Sequence, residues 1–257
     1  MNKKLLFILI GLMIGALVLS GCSAATGEKS PGEPAQGEGT QGNVEGNYPV
    51  TFTDSLGREI VVENRPDKVI SLSPAITEIL FAIGAGEQVV GVTDYCEYPA
   101  EALEKPKVGG FEDPNVELII ESEPDLIFVA AGIQEEMAQS FEGYGIKVIA
   151  LDAETVEQVL HNIRLAGLAT GNGEKATALV EEMDRRITRV KETVAKASHR
   201  PTVFFEVWDD PLMTAGPGSF IDDLIKVAGG ESIAYDAAER FALFSLEVLL
   251  ERDPEFY

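Results

Sequence analysis

Two pairs of glutamates four residues apart, Glu117 with Glu121 and Glu247 with Glu251, each lie inside an apolar-rich run that reads as helix. That spacing stacks like charges on one helix face and costs roughly a few tenths of a kcal/mol per pair. Two accounts fit. One is a solvated face in an acidic protein; the other is a docking site, one acidic knob per helix, for a partner with basic pockets.

Catalytic chemistry finds little to work with. The chain has two histidines, His161 in a helical stretch and His199 beside Arg200-Pro201, and both read as ordinary surface or core residues. There is no Gly-x-Ser-x-Gly elbow, no phosphate loop ending in Gly-Lys-Ser or Gly-Lys-Thr, and no zincin helix. No catalytic residue, metal site or catalytic cofactor is therefore expected. An exported enzyme would need a base beside a nucleophile, which the shortage of histidine disfavours. Ligand-binding side chains are better supplied. Tyr95, Tyr98, Phe111, Trp208, Phe220 and Phe241 fall at predicted element ends and loops, where α/β folds hold ligands, although each also fits a core. The turn Gly216-Pro217-Gly218-Ser219 reads as a plain tight turn, or as backbone N–H groups offered at a helix start.

The N-terminal end sets the compartment. Lys3 and Lys4 precede an apolar run from Leu5 to Leu19, which closes in Leu19-Ser20-Gly21-Cys22. Residues 1–21 read as a signal peptide, and the closing residues resemble the bacterial lipobox that makes Cys22 a lipidated N-terminus. An uncleaved anchor helix is the other reading, and either way the body lies outside the cytoplasm. Cleavage of the 257 residues leaves 236, enough for one large domain or two lobes. With Cys22 lipidated only Cys96 remains, so the fold relies on its apolar core rather than on disulfides. Loss of Lys3 and Lys4 takes the net charge from −23 to −25. Such a field repels nucleic acid and favours a basic docking partner. Residues 22–47, rich in Gly, Pro, Glu, Gln, Ser and Thr, read as a flexible tether.

These residues need a scaffold, and the hydrophobic pattern from Tyr48 onward supplies one. Val69 to Leu72 and Val89 to Val92 read as strands, with a helix between them that opens at Pro74 and carries Ile76, Ile79, Leu80 and Ile83 at helical spacing. Val116 to Ile120 reads as helix, Leu126 to Ala130 as a buried strand, and Lys147 to Leu151 as a third. Thr155 to Thr170 and Glu174 to Ala197 read as helices parted by Gly171-Asn172-Gly173, the second long, charged and placed as a connector. Thr202 to Val207 then reads as strand and Ser219 to Ala228 as helix, with another helix starting near Ser245. The prediction is an α/β fold of two Rossmann-like lobes with mostly parallel sheets, 48–153 and 201–257, joined through 154–200 by one long helix.

The lobes echo one another. Val116-Glu117-Leu118-Ile119-Ile120-Glu121 matches Leu246-Glu247-Val248-Leu249-Leu250-Glu251 without a gap, and Pro124 matches Pro254. Leu80 to Glu87 matches Leu224 to Glu231, each helix running into glycine and then Glu. Because Pro124 is followed by a strand and Pro254 by only three residues, the expectation is that the C-terminal part of the second lobe is missing.

The chain from Tyr48 to Tyr257 resembles the class III solute-binding proteins of cobalamin and iron-siderophore ABC importers. The likeness rests on Val69-Ile70-Ser71-Leu72-Ser73-Pro74-Ala75-Ile76-Thr77-Glu78, on Val90 through Pro99, and on Asn115-Val116-Glu117 through Pro124-Asp125-Leu126. The resemblance implies two lobes that clamp a ligand, with walls at Pro74, Ala75, Tyr95, Tyr98, Phe111, Phe241 and Trp208. It implies that Glu117 and Glu247 pair with arginines of a permease dimer. It implies a monomer, held to the membrane by its lipid, that delivers a small molecule. The Ser-Pro-Ala-Ile-Thr-Glu and Tyr-Cys-Glu-Tyr-Pro stretches look most like cobalamin binders, which points to cobalamin or a related corrinoid as cargo. A ferric siderophore or haem is the alternative. Tryptophans at some cleft positions of cobalamin-binding relatives appear here as Phe111, Ala130 and Phe241. Anionic catecholates or haem would want cations in the cleft, and the second lobe scatters its few, Lys226, Arg240 and Arg252.

Overall fold

The computed structural model describes residues 48–257; the predicted signal peptide 1–21, the predicted lipidation site Cys22 and the predicted tether 22–47 lie outside the described residues. A hairpin of β1 (Val50–Thr53) and β2 (Glu59–Val62) comes first. Then follow β3 (Val69–Ser71), α1 (Pro74–Ala82), β4 (Val89–Val92), α2 (Ala100–Leu103), α3 (Val116–Glu121), β5 (Leu126–Ala130), α4 (Glu135–Gly143) and β6 (Lys147–Leu151). Strands β4-β3-β5-β6 form one parallel sheet in that order. Its strands are covered on both sides, which is why they read as continuous apolar runs. Leu126 and Phe128 enter one core with Val69 and Ile149, while Ile127 and Val129 enter the other with Ile70 and Val148.

The β1–β2 hairpin and α4 carry weak periodicity and escape the sequence reading. Tertiary contacts hold the hairpin. Asp54 is buried, accepts from the backbone N–H groups of Leu56, Arg58 and Ala150, and pairs with the Arg58 guanidinium at 2.6 Å. Asp54→Ala would strand those N–H groups and leave the Arg58 guanidinium with Glu142 as its one carboxylate partner, so urea denaturation is expected to show a loss of about 3 kcal/mol. Asp54→Asn, which keeps an acceptor, should lose less; equal stability of the alanine variant would refute the clamp.

Two helices lead out of this half, α5 (Val156–Thr170) and α6 (Gly173–Val194). Thr155 and Gln158 close a capping box at the start of α5. The 22 residues of α6 span about 33 Å. Its first turns bury Ala176 and Val180 in the first half's core, and its far end, at Val194, lies against Gly229 of the second half.

The second half comprises β7 (Thr202–Val203), β8 (Glu206–Asp209), β9 (Leu212–Ala215), α7 (Phe220–Val227), β10 (Glu231–Ser232), β11 (Phe241–Leu243) and α8 (Leu246–Arg252). Here the sequence reading needs two corrections. The run Thr202 to Val207 is two strands, because the chain breaks at Phe204, which turns into a small core with Ile233 and Leu249. Beside the parallel pair β10-β7 stands an antiparallel sheet, β11-β9-β8, whose short strands lack an alternating pattern.

The internal echo is structural. Among the described residues only two non-glycines have positive φ, Glu123 at 50° and Asp253 at 41°, and they stand 130 positions apart, each before its proline. The matching core residues Ile119 and Leu249 are both buried. Leu126 pairs with Val69, and its counterpart Phe256 bridges to Val203, also in parallel. The helix ends correspond as well, one residue out of the ungapped register. Gly84 and Gly229 take the left-handed turn, and in each case the glycine and the next residue donate back into the last turn.

Candidate functional site

In the first sheet the strand order reverses between β3 and β5, and open α/β sheets present ligands at such a switch point, beyond the carboxyl ends of the strands. A concavity of about 690 Å³ opens there, lined by Ser73, Pro74, Ala75, Tyr95, Phe111, Glu112 and Asp113. Pro74, the first residue of α1, needs no N–H partner there, so the chain can turn sharply from β3 into the helix beneath the cavity floor.

Each aromatic wall is carried on a loop tied to the sheet. Tyr95 is 64% exposed, but its neighbour Cys96 is fully buried, with its thiol 3.1 Å from the Thr93 hydroxyl and 3.2 Å from that of Thr77. The Lys107 ammonium donates to the carbonyls of Thr93 and Cys96, closing the loop from below. Phe111 sits on a second loop, bridged at its base between Gly109 and Pro114. Gly109 has φ +100°, and a Cβ there would stand 2.8 Å from the Asn115 nitrogen, so only glycine allows this turn. Gln134 ties the loop's far side: its amide donates to the carbonyls of Leu72 and Phe111, and its oxygen accepts from the Ala130 N–H.

Four of the predicted wall residues, Pro74, Ala75, Tyr95 and Phe111, thus share one concavity. Tyr98 lines a separate one with Phe81, Lys105 and Lys175. Trp208 and Phe241 lie on β8 and β11, in the antiparallel sheet of the second half, and both are exposed. Ala130 ends β5 and holds Gln134. The sequence reading passed over Gln134, Lys107, Glu112 and Asp113. A polar side chain in a glycine-flanked loop has no periodicity to mark it; the one available signal was its place just past a buried strand.

The lining is acidic where it is charged. Glu112 and Asp113 follow Phe111 directly, and among the described residues no Lys or Arg lines this concavity. The surface offers aromatic faces and hydrogen-bond acceptors, which suits a bulky ligand rich in N–H donors and repels an anionic one.

Glu117 and Glu247 occupy equivalent places. Each stands in the first turn of its helix, exposed, behind a capping side chain: Asn115 accepts from the Leu118 N–H at 3.0 Å and Ser245 from the Glu247 N–H at 3.2 Å. Neither joins an ion pair among the described residues. A carboxylate at a helix N-terminus gains from the dipole, which offsets much of its repulsion with the glutamate one turn on.

A family model for periplasmic binding proteins matches residues 69–256. The uncharacterized ABC transporter substrate-binding lipoprotein YvrC of Bacillus subtilis is 30% identical, over 91% of this chain and 74% of its own length. The vitamin B12-binding protein of Salmonella paratyphi A is 34% identical, over 73% of this chain and 70% of its own. Among solved structures, the periplasmic vitamin B12 binding protein BtuF of Vibrio cholerae matches with a TM-score of 0.68 at 25% identity, over 74% of each chain. The periplasmic heme-binding protein RhuT from Roseiflexus sp. RS-1 matches with a TM-score of 0.65 at 26% identity, over 73% of this chain and 74% of its own. The chain spans 66% to 74% of the length of its curated relatives. On this footing, with the sheet order and the matched halves, the chain belongs to the periplasmic binding protein family.

Proposed function

We propose that this protein is the extracytoplasmic receptor of an ABC importer, that it captures cobalamin or a related corrinoid, and that it delivers this cargo to the permease without chemical change. The observation that carries the cargo assignment is the concavity at the sheet's switch point, with Tyr95 and Phe111 as walls and Glu112 and Asp113 as its charged groups. A corrin rimmed with amides can stack on the rings and donate N–H groups to the carboxylates. Haem, with its propionates, and catecholate siderophores meet repulsion on the same surface. The relatives named for vitamin B12 support this cargo, whereas the heme-binding neighbour supports the alternative.

In this reading residues 48–153 and 201–257 act as lobes and 154–200 as their connector, with Tyr98, Trp208 and Phe241 completing the wall when the lobes meet. The protein works as a monomer, Cys22 carries the lipid after loss of residues 1–21, and residues 22–47 form the leash. Glu117 and Glu247 meet basic pockets of the permease dimer. Isothermal titration with cyanocobalamin, haem and a ferric hydroxamate tests the cargo. Saturable binding of cyanocobalamin alone is expected. Binding of a ferric complex alone would transfer the assignment to iron, and binding of none would overturn the receptor reading.

A further inference from the structure

Gln134 is 1% exposed and lies at the N-terminus of α4, yet it does not cap that helix with its side chain. The amide reaches three separate segments. Its Nε2 donates to the Leu72 carbonyl at 2.8 Å, just past β3, and to the Phe111 carbonyl at 2.6 Å; its Oε1 accepts from the Ala130 N–H at 2.7 Å, at the end of β5. Two donors and one acceptor meet two carbonyls and one N–H, a match that among natural side chains of this length only glutamine offers. Methionine has the length but none of the bonds, and an ionised glutamate would face two carbonyls with acceptors only.

We infer that Gln134 is the positioning residue of the ligand site, fixing the Phe111 wall against the ends of β3 and β5. This rests on the corrinoid-receptor reading and deepens it. The Tyr95 loop has its own side-chain anchor in Lys107 and touches the Phe111 loop through one backbone bond, from the Asp94 N–H to the Gly109 carbonyl. Loss of the Gln134 amide therefore loosens the Phe111 side, with the ends of β3 and β5 that it joins, and leaves the Lys107 anchor in place. Ligand then dissociates faster, because a wall that must be ordered on binding contributes less than one already in place.

The test uses the whole protein with Gln134→Met and Gln134→Glu. For the methionine variant, cyanocobalamin affinity should fall at least about tenfold, through dissociation. Amide exchange should quicken at Asp94 and Asn115, whose N–H groups are donated to the Gly109 and Val108 carbonyls at the base of the Phe111 loop, and stay unchanged at Cys96, whose N–H closes on Thr93 within its own loop. For the glutamate variant, affinity should recover as pH falls from about 8 to about 5, since only the protonated carboxyl can donate to the Phe111 or Leu72 carbonyl; wild type should stay flat. Wild-type affinity in both variants, or exchange that quickens at Cys96 as much as at Asp94 and Asn115, would overturn the inference. Should the wild type bind no corrinoid, the cargo reading falls, while the exchange comparison still decides whether Gln134 holds the Phe111 segment.

Discussion

With Glu117→Lys and Glu247→Lys combined, uptake of labelled cyanocobalamin into cells should fall to background, while affinity in solution stays within about twofold of wild type. The two carboxylates are exposed at equivalent helix starts, form no ion pair among the described residues, and do not line the concavity of Tyr95 and Phe111. Close charge pairs across an interface couple by about 1.5–7 kcal/mol, so reversal at either site should weaken docking by at least tenfold, and reversal at both should compound the losses. The folded state should barely notice, because the lost dipole interaction is worth about 0.3–1 kcal/mol per helix. Single reversals should give intermediate uptake. Normal uptake by the double variant would sink the docking assignment, and lost ligand affinity with normal docking would place these helices in the ligand site instead.

The other large effect concerns the walls. Tyr95→Ala and Phe111→Ala should each weaken cyanocobalamin about tenfold or more, and together about a hundredfold or more, by calorimetry. Buried aromatic anchors carry a disproportionate share of binding energy, and Tyr95 is exposed enough that its removal leaves the fold intact. Tyr98→Ala discriminates between two placements. Tyr98 lines a different concavity from Tyr95 and Phe111, so an effect as large as that of Tyr95 would mean that the cleft rearranges to include it. No effect from Tyr95→Ala and Phe111→Ala together would remove this concavity from the account.

The strands β3, β4, β5 and β6 were legible because a two-sided core demands continuous apolar residues, and α1, α5 and α7 because their stripes and caps agree. The echo of α3 in α8 was legible to the residue, even to the proline after each. The rest follows a different physics. The hairpin β1–β2 is specified by Asp54 and its bonds to β6, a contact 96 residues away that no local window contains. The break after Val203 depends on Phe204 finding Ile233 and Leu249. In the site, aromatic residues announced themselves by type, but Gln134 and Lys107 act through backbone carbonyls of distant segments, and only the folded chain brings those carbonyls near.

Trp208 is the chain's one tryptophan, 59% exposed on β8, with its indole N–H donated to the Asp210 carbonyl at 2.9 Å. All of the protein's indole emission therefore originates from a single strand of the second half, far in sequence from the Tyr95 and Phe111 loops. Corrins absorb strongly across the near-ultraviolet and visible, so a loaded cleft would drain that emission by energy transfer, and the unmodified protein carries its own optical gauge of how near the second half comes to the cargo.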